Sequence, residues 1–278
     1  MYRWTKICKE RLDLGLVIVA AGTDLWNVGK IDTKRPLRLE NMRLITSMTG
    51  TISESFFHLT ATSMHVAFAK LLPSLLELPY AMRNENEYET AKILNKTKTF
   101  FDEIRTLFKR GKKRIDKSEF YDTYRPLLGG YEKGLILEGT NDVLIGNGPS
   151  GGQSSMFVML DAVLGIVHQG HSRSFQDDAY KAMPLPHRRF VRDFVHTINH
   201  ETGNVSDFMQ RKIRGSACND AYRSCLESYE SFRKYHLGIA TRYLSSTTKG
   251  TGNSTFRSLL KEFKTNTEKC RRNIYGSK

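Results

Sequence analysis

His236 stands inside an apolar stripe. Cys218, Ala221, Cys225, Tyr229, Phe232, His236, Ile239 and Tyr243 follow one another at steps of three and four, which puts them on one face of a helix over 217–244. An imidazole in that company has two uses: a core histidine satisfied by a hydrogen bond, or a metal ligand. A single helix-borne histidine among apolar neighbours is also a usual way to hold haem iron from the proximal side. Arg233 lies three residues earlier, on an adjoining part of the helix surface. It is either an ordinary surface arginine or a partner for a haem propionate through a charge-assisted hydrogen bond.

Arg125 is the second candidate. It sits in EFYDTYRPLLGGY (119–131), among Phe120, Tyr121, Tyr124, Leu127 and Leu128. A guanidinium buried there needs an anion or a ring face, because an unpaired buried charge is strongly unfavourable. A substrate carboxylate held bidentately would serve. A structural salt bridge or a cation–π contact would serve equally well.

The third candidate is GNGPSGGQSS (146–155), where Gly146, Gly148 and Gly151 satisfy the spacing of a dinucleotide-binding turn. That turn needs a strand before it, a helix after it and a βαβ unit around it. The preceding LILEGTNDVLI holds a short strand at most, and no second strand follows. A phosphate loop fails too, since Gly152-Gln153 stands where Gly-Lys is required. The match reads as accidental, with the glycines letting backbone approach something closely. The other histidines carry little signal. His58 and His65 share a helix face, His168 and His171 sit near a helix end, and His196 and His200 lack a third ligand. Met156 and Met159 read as core.

Helical periodicity accounts for most of the chain. Residues 54–80 read as an apolar helical segment interrupted at Pro73, and 86–109 as an amphipathic helix. Residues 153–167 are apolar almost all round, as in a central helix, and 185–197 form a further candidate. No alternating strand series and no repeat is visible, so the expected class is all-α. The 278 residues suffice for one large domain or two modest ones. The net charge of +14 raises nucleic acid or an anionic membrane as partners. The densest basic run, FKRGKKRIDK (108–117), reads as a solvated loop, and no nucleic-acid-binding signature accompanies it. Neither nucleic acid nor membrane is expected, and no segment approaches the roughly 20 apolar residues of a bilayer span. MYRWTKICKER followed by LDLGLVIVAAG has the outline of a secretory signal, but Asp13 interrupts its apolar part. Cysteines 8, 218, 225 and 270 form no CxxC pair, which points to a reducing compartment.

Taken in order, these segments resemble the haem-dependent indoleamine 2,3-dioxygenase family. The resemblance is carried by KRPLRLENM (34–42), ESFFHLTATS (54–63), EFYDTYRPLLGGY (119–131), GLILEG (134–139) and GPSGGQSSMFVMLDAVLGI (148–166). It continues through MPLPHRRF (183–190), SFRKYHLGIATRYL (231–244) and GTGNSTFRSLLKEFKTNTEK (250–269). It implies the family's large helical haem domain over 26–270, with 1–25 as a remnant of the N-terminal region or linker and 271–278 as a tail. Family members also carry a smaller N-terminal domain of about a hundred residues, and the match begins near its boundary. LGLVIVAAGTDLW aligns loosely with a pocket-lining segment.

The resemblance implies haem b with His236 as proximal iron ligand, Arg233 near a propionate, and Ser150 and Gly151 on a distal loop. It assigns Phe120, Tyr121 and Arg125 to the enclosure of tryptophan over the haem. Phe57 and Thr60 fall on the distal helix, Thr60 standing where serine is common. Leu128 and Thr251 complete the substrate side. Tyr121 departs from the usual phenylalanine and adds a hydroxyl that needs a partner. Only five residues separate Leu244 from Gly250, so the mobile loop there is short. The implied reaction joins O2 to L-tryptophan or a related indoleamine across the indole C2–C3 bond. It gives N-formylkynurenine, at the head of the kynurenine pathway, in a cytoplasmic monomer. Two other readings stand beside it: an O2-binding, myoglobin-like haem protein of the same family, and a haem-free basic interaction protein.

Overall fold

The computed structural model describes residues 2–14, 18–136, 143–212, 216–243 and 256–276. Helices dominate: α1 (Tyr2–Leu12), α2 (Ile52–Arg83), α3 (Glu87–Lys112), α4 (Ser155–Leu164), α5 (Gly170–Lys181), α6 (Leu185–His196), α7 (Val205–Gln210), α8 (Ala217–Tyr243) and α9 (Phe256–Tyr275). The periodic stretches at 185–197 and 217–244 correspond to α6 and α8, each one residue shorter. The apolar run at 153–167 is helical only over α4, because Ser154 caps its start by accepting from the Met156 amide at 3.3 Å and Gly165 ends it at φ 73°.

Two expectations are corrected. Pro73 does not interrupt α2, which runs for 32 residues through Pro73 and Pro79. Proline deprives the carbonyl four residues earlier of its donor; Ala69 and Lys70 face solvent, so water can take that carbonyl's bond. The run 108–117 is not simply a solvated loop, since 108–112 form the last turn of α3. Lys109, Arg110 and Lys112 sit at the negative end of the helix dipole, and Glu87 and Glu89 sit at the positive end. Phe108 and Gly111 of that turn point inward. A Cβ on Gly111 would collide with Thr60, so glycine permits the close approach of α3 to α2.

The core lies between α2, α3, α4, α6, α8 and α9. Its centre is formed by Phe101 and Tyr229, stacked at 4.2 Å between α3 and α8, with Met159, Leu160 and Val163 of α4 fully buried alongside. Each such side chain contributes about 1.5–3 kcal/mol by leaving water. Among the described residues α2 alone is long and apolar enough to cross a membrane by length and composition; here it is a core helix.

Two small antiparallel ribbons complete the fold: β1 (Val28–Lys30) with β2 (Met42–Leu44), and β3 (Tyr131–Ile136) with β4 (Val143–Gly146). β4 does lead into the glycine-rich stretch, but it pairs antiparallel with β3. Among the described residues no parallel crossover follows, so the dinucleotide pattern is accidental. Gly148 is instead required by close packing, since a Cβ there would strike the carbonyl of Leu128. Near the N-terminus a π-helical turn, Ala21–Leu25, is closed by the Trp26 amide donating to the Ala21 carbonyl at 3.0 Å. The Trp26 ring is 46% exposed.

Candidate active site

A cavity of about 380 Å³ opens between the Ala21–Leu25 turn, the first half of α2, the end of α3, the 119–128 segment, the 149–158 segment, α8 and α9. That lies within the usual ~300–1,000 Å³ of a small-molecule site. His236, Arg233, Arg125, Phe120, Phe57 and Thr60 all line it, as do Leu128, Ser150 and Gly151. Residues 70 or more apart in sequence are thus brought to one space. Tyr121 is half-buried and does not line the cavity. Thr251 and the short loop 245–249 lie outside the described residues.

His236 makes no hydrogen bond among the described residues. Phe108 meets its ring edge-on at 5.3 Å, and Phe232 lies tilted at 6.1 Å, so packing rather than a partner sets its orientation. Burial, and then the charge of Arg233, push its pKa down to about 4. The imidazole is therefore neutral at pH 7, the form that ligates metals.

Arg233 is buried, and its terminal nitrogens are engaged. Nη2 donates to Asp161 Oδ1 and to the Tyr229 hydroxyl, both at 2.6 Å. Nη1 donates to the Phe263 carbonyl at 2.5 Å and to Thr267 Oγ1 at 2.6 Å. The other Asp161 oxygen accepts from His168 Nε2 at 2.9 Å and from Gln176 Nε2 at 3.4 Å. Burial alone would raise the Asp161 pKa, but Arg233 and His168 outweigh it and hold the carboxyl ionised. Burial alone would likewise lower the Arg233 pKa, and Asp161 outweighs it and raises it. This ion pair ties α8 to α4 one turn before His236, and leaves Nε as the arginine's remaining donor.

Arg125 is half-buried on the wall, and burial lowers its pKa while Tyr121 opposes the shift. Phe120 is buried, and its ring centroid lies 5.0 Å from Phe57 and 6.0 Å from Tyr124. The Thr60 hydroxyl donates to the Phe56 carbonyl at 2.6 Å, and Ser150 caps the turn after it by accepting from the Gly152 amide at 3.3 Å.

Sequence reasoning missed a second polar group on the wall. His58 Nδ1 donates to Asp24 Oδ1 at 2.6 Å, and the Tyr124 hydroxyl bonds His58 Nε2. Thr23 Oγ1 also donates to Asp24 Oδ1, at 3.0 Å. Thr62 Oγ1 donates to the Asp24 carbonyl at 2.6 Å, locking the turn onto α2. Burial, and then the charges of Glu54 and Asp24, raise the Tyr124 pKa, so its proton stays on. The only signal was a histidine within the apolar run FFHL, which needed a partner from elsewhere in the chain.

The residues fit a haem. Among the described residues no three His, Cys, Asp or Glu side chains converge on a bare ion. A metal ligated by one imidazole needs chelation from a macrocycle, and the remaining wall near His236 is aromatic and aliphatic: Phe157, Phe232, Ile239, Leu259 and Phe263.

A mainly helical fold around a largely apolar cavity, with the unbonded imidazole of His236 on its wall, is an arrangement that haem proteins share. The family described as Indoleamine 2,3-dioxygenase matches residues 3–269, and the chain belongs to that family. Similar proteins include a 6-hydroxytryptophan 2,3-dioxygenase of Fusarium equiseti, 30% identical over 250 residues, which are 86% of this chain and 60% of the relative. Indoleamine 2,3-dioxygenase 1 of Mus musculus is 26% identical over 298 residues, covering 94% of this chain and 70% of the relative. A myoglobin of Haliotis madaka is 26% identical over 186 residues, covering 60% of this chain and 47% of the relative. The chain thus spans about 60% of the Fusarium protein's length.

Proposed function

We propose that this chain is a haem-dependent dioxygenase that opens the indole ring of L-tryptophan or a related indoleamine with O2, giving N-formylkynurenine or its ring-substituted equivalent. The observation that carries the reading is the neutral, unbonded imidazole of His236 on the wall of the cavity that also holds Arg125. Haem b, held through its iron by His236, would supply the activation of O2. The chain's own residues bind and orient. Arg125 takes the substrate carboxylate, a bidentate match of guanidinium to carboxylate. Phe57 and Phe120 offer ring faces to the indole. The aromatic wall keeps water from the reacting carbons and strengthens each polar contact made there. No side chain is assigned as a general base. The names of two relatives, a 6-hydroxytryptophan dioxygenase and an indoleamine dioxygenase, lend support to an indole substrate with or without a ring hydroxyl. The reading includes a cytoplasmic monomer; the free cysteines 218, 225 and 270 lend support to a reducing compartment.

The test is the absorption spectrum of the haem-reconstituted protein, ferrous, with and without CO, for wild type and His236→Ala. A haem spectrum that is altered or lost in the variant is expected; identical spectra would remove His236 as the ligand. Formation of N-formylkynurenine, followed by its absorbance, then separates the dioxygenase from an O2 carrier. The second reading is favoured by the match to the Haliotis myoglobin and predicts stable reversible oxygenation without turnover.

A further inference from the structure

The Asp24 carboxylate is buried, with 8% of the residue's surface accessible, yet it lines the cavity. Its Oδ1 already accepts twice, from His58 Nδ1–H at 2.6 Å and from Thr23 Oγ1 at 3.0 Å. Its Oδ2 accepts no hydrogen bond among the described residues, and it is not among the buried polar atoms sealed without a partner. That oxygen is therefore accessible, on a residue that lines the cavity. The carboxylate only accepts, so His58 is the donor in the pair. It fixes the proton on His58 Nδ1, and this leaves Nε2 to accept from Tyr124. The chain Asp24–His58–Tyr124 thus pins three walls together: the Ala21–Leu25 turn, α2 and the 119–124 segment.

The surroundings say what Oδ2 is for. His58 meets Phe57 edge-on at 5.3 Å and Tyr124 at 5.5 Å, so the carboxylate stands beside the aromatic cluster that would receive a ring. Among the described residues no Lys or Arg pairs with Asp24; its side-chain partners are His58 and Thr23. Burial holds His65, also on this wall, toward its neutral form against the pull of Asp24. An anionic acceptor facing an unsubstituted benzene ring would lose its water and gain nothing. A ring carrying a hydroxyl would return the lost bond.

We propose that Asp24 is a specificity-determining acceptor that selects an indole substrate bearing a hydroxyl on its benzo ring, with His58 and Thr23 as its positioning residues. The inference rests on the indoleamine reading above and deepens it.

The test is calorimetric binding to the haem-loaded protein without O2, so that no turnover intervenes. The ligands are L-tryptophan, the tryptophans hydroxylated at the five or six ring position, and indole-3-propionate, which lacks the ammonium. Wild type is expected to bind at least one hydroxylated tryptophan tenfold or more tighter than L-tryptophan. Asp24→Ala should bring that preference to within about threefold, and L-tryptophan affinity should hold or improve, since an unpaired acceptor has gone. Asp24→Asn keeps an acceptor for His58 and is the variant to use if the alanine form does not fold. It should cut the preference at least threefold. Equal affinities in wild type would overturn the proposal, and so would a preference that survives both substitutions. It also falls if substitution weakens L-tryptophan but not indole-3-propionate, because Asp24 would then hold the ammonium. In each of those cases L-tryptophan still binds the wild type and the indoleamine reading stands. Failure of every indole to bind would overturn both.

Discussion

Asp161 and Asp24 are both buried carboxylates, both bonded to a histidine, and both on the wall of the same cavity. They differ in what is left over. Asp161 has four donors, two on each oxygen: Tyr229 and Arg233 on Oδ1, His168 and Gln176 on Oδ2. Asp24 has two donors on one oxygen and none among the described residues on the other. A full set of donors makes a carboxylate a fastener between helices. A half set, fixed in place and facing a cavity, makes one a reader of what enters. The same residue type in similar burial thus serves architecture alone on one wall and, as proposed, selection as well on the other.

The largest effect should come from the fastener. Asp161→Ala leaves Arg233 buried without its counter-charge and should cost about 3–5 kcal/mol in denaturant unfolding. Asp24→Ala strands the His58 Nδ1–H donor instead and should cost about 1–3 kcal/mol. Equal losses would erase the distinction. On the binding side, Arg125→Ala should weaken L-tryptophan binding by about 10- to 100-fold, as expected for a lost charge-assisted pair worth about 1.5–3 kcal/mol. Unchanged affinity would remove Arg125 from the substrate site. The most graded effect concerns pH. The folded-state pKa of His236 lies at about 4, below its ordinary 6.5, so the unfolded chain binds more protons between those values. The haem-free protein should keep this contribution above pH 6.5 and lose it progressively as pH falls toward 4. Chemical unfolding along that range checks it, and His236→Ala should flatten that part of the profile.

What the sequence made legible follows the range of the interactions. α6 and α8 were readable to within a residue because one apolar face repeats along each, and His236 stood out because it broke that face. Pro73 misled because the solvation of the carbonyl it frees depends on which side of α2 meets water. The basic run at 108–117 misled because charge reports exposure and not conformation. The Asp24–His58–Tyr124 group joins residues 34 and 66 positions apart, a pairing no local pattern encodes. Asp161 gave a clearer hint: a lone carboxylate inside MFVMLDAVLGI demands partners. The resemblance sets Arg233 near a propionate; Asp161 and its neighbours take up two of its three nitrogens, a set of long-range partners no local pattern encodes.

Trp26 closes the turn that carries Asp24, and the chain has only one other tryptophan, Trp4. The protein therefore carries an indole of its own two residues after Asp24, which lines the cavity it would use to take up another. A haem in that cavity would drain the excited state of this ring by energy transfer, so emission should dim as the cavity fills. Comparing wild type with Trp26→Phe would assign the signal. Cofactor loading could then be followed by fluorescence titration in dilute solution, before any substrate is added.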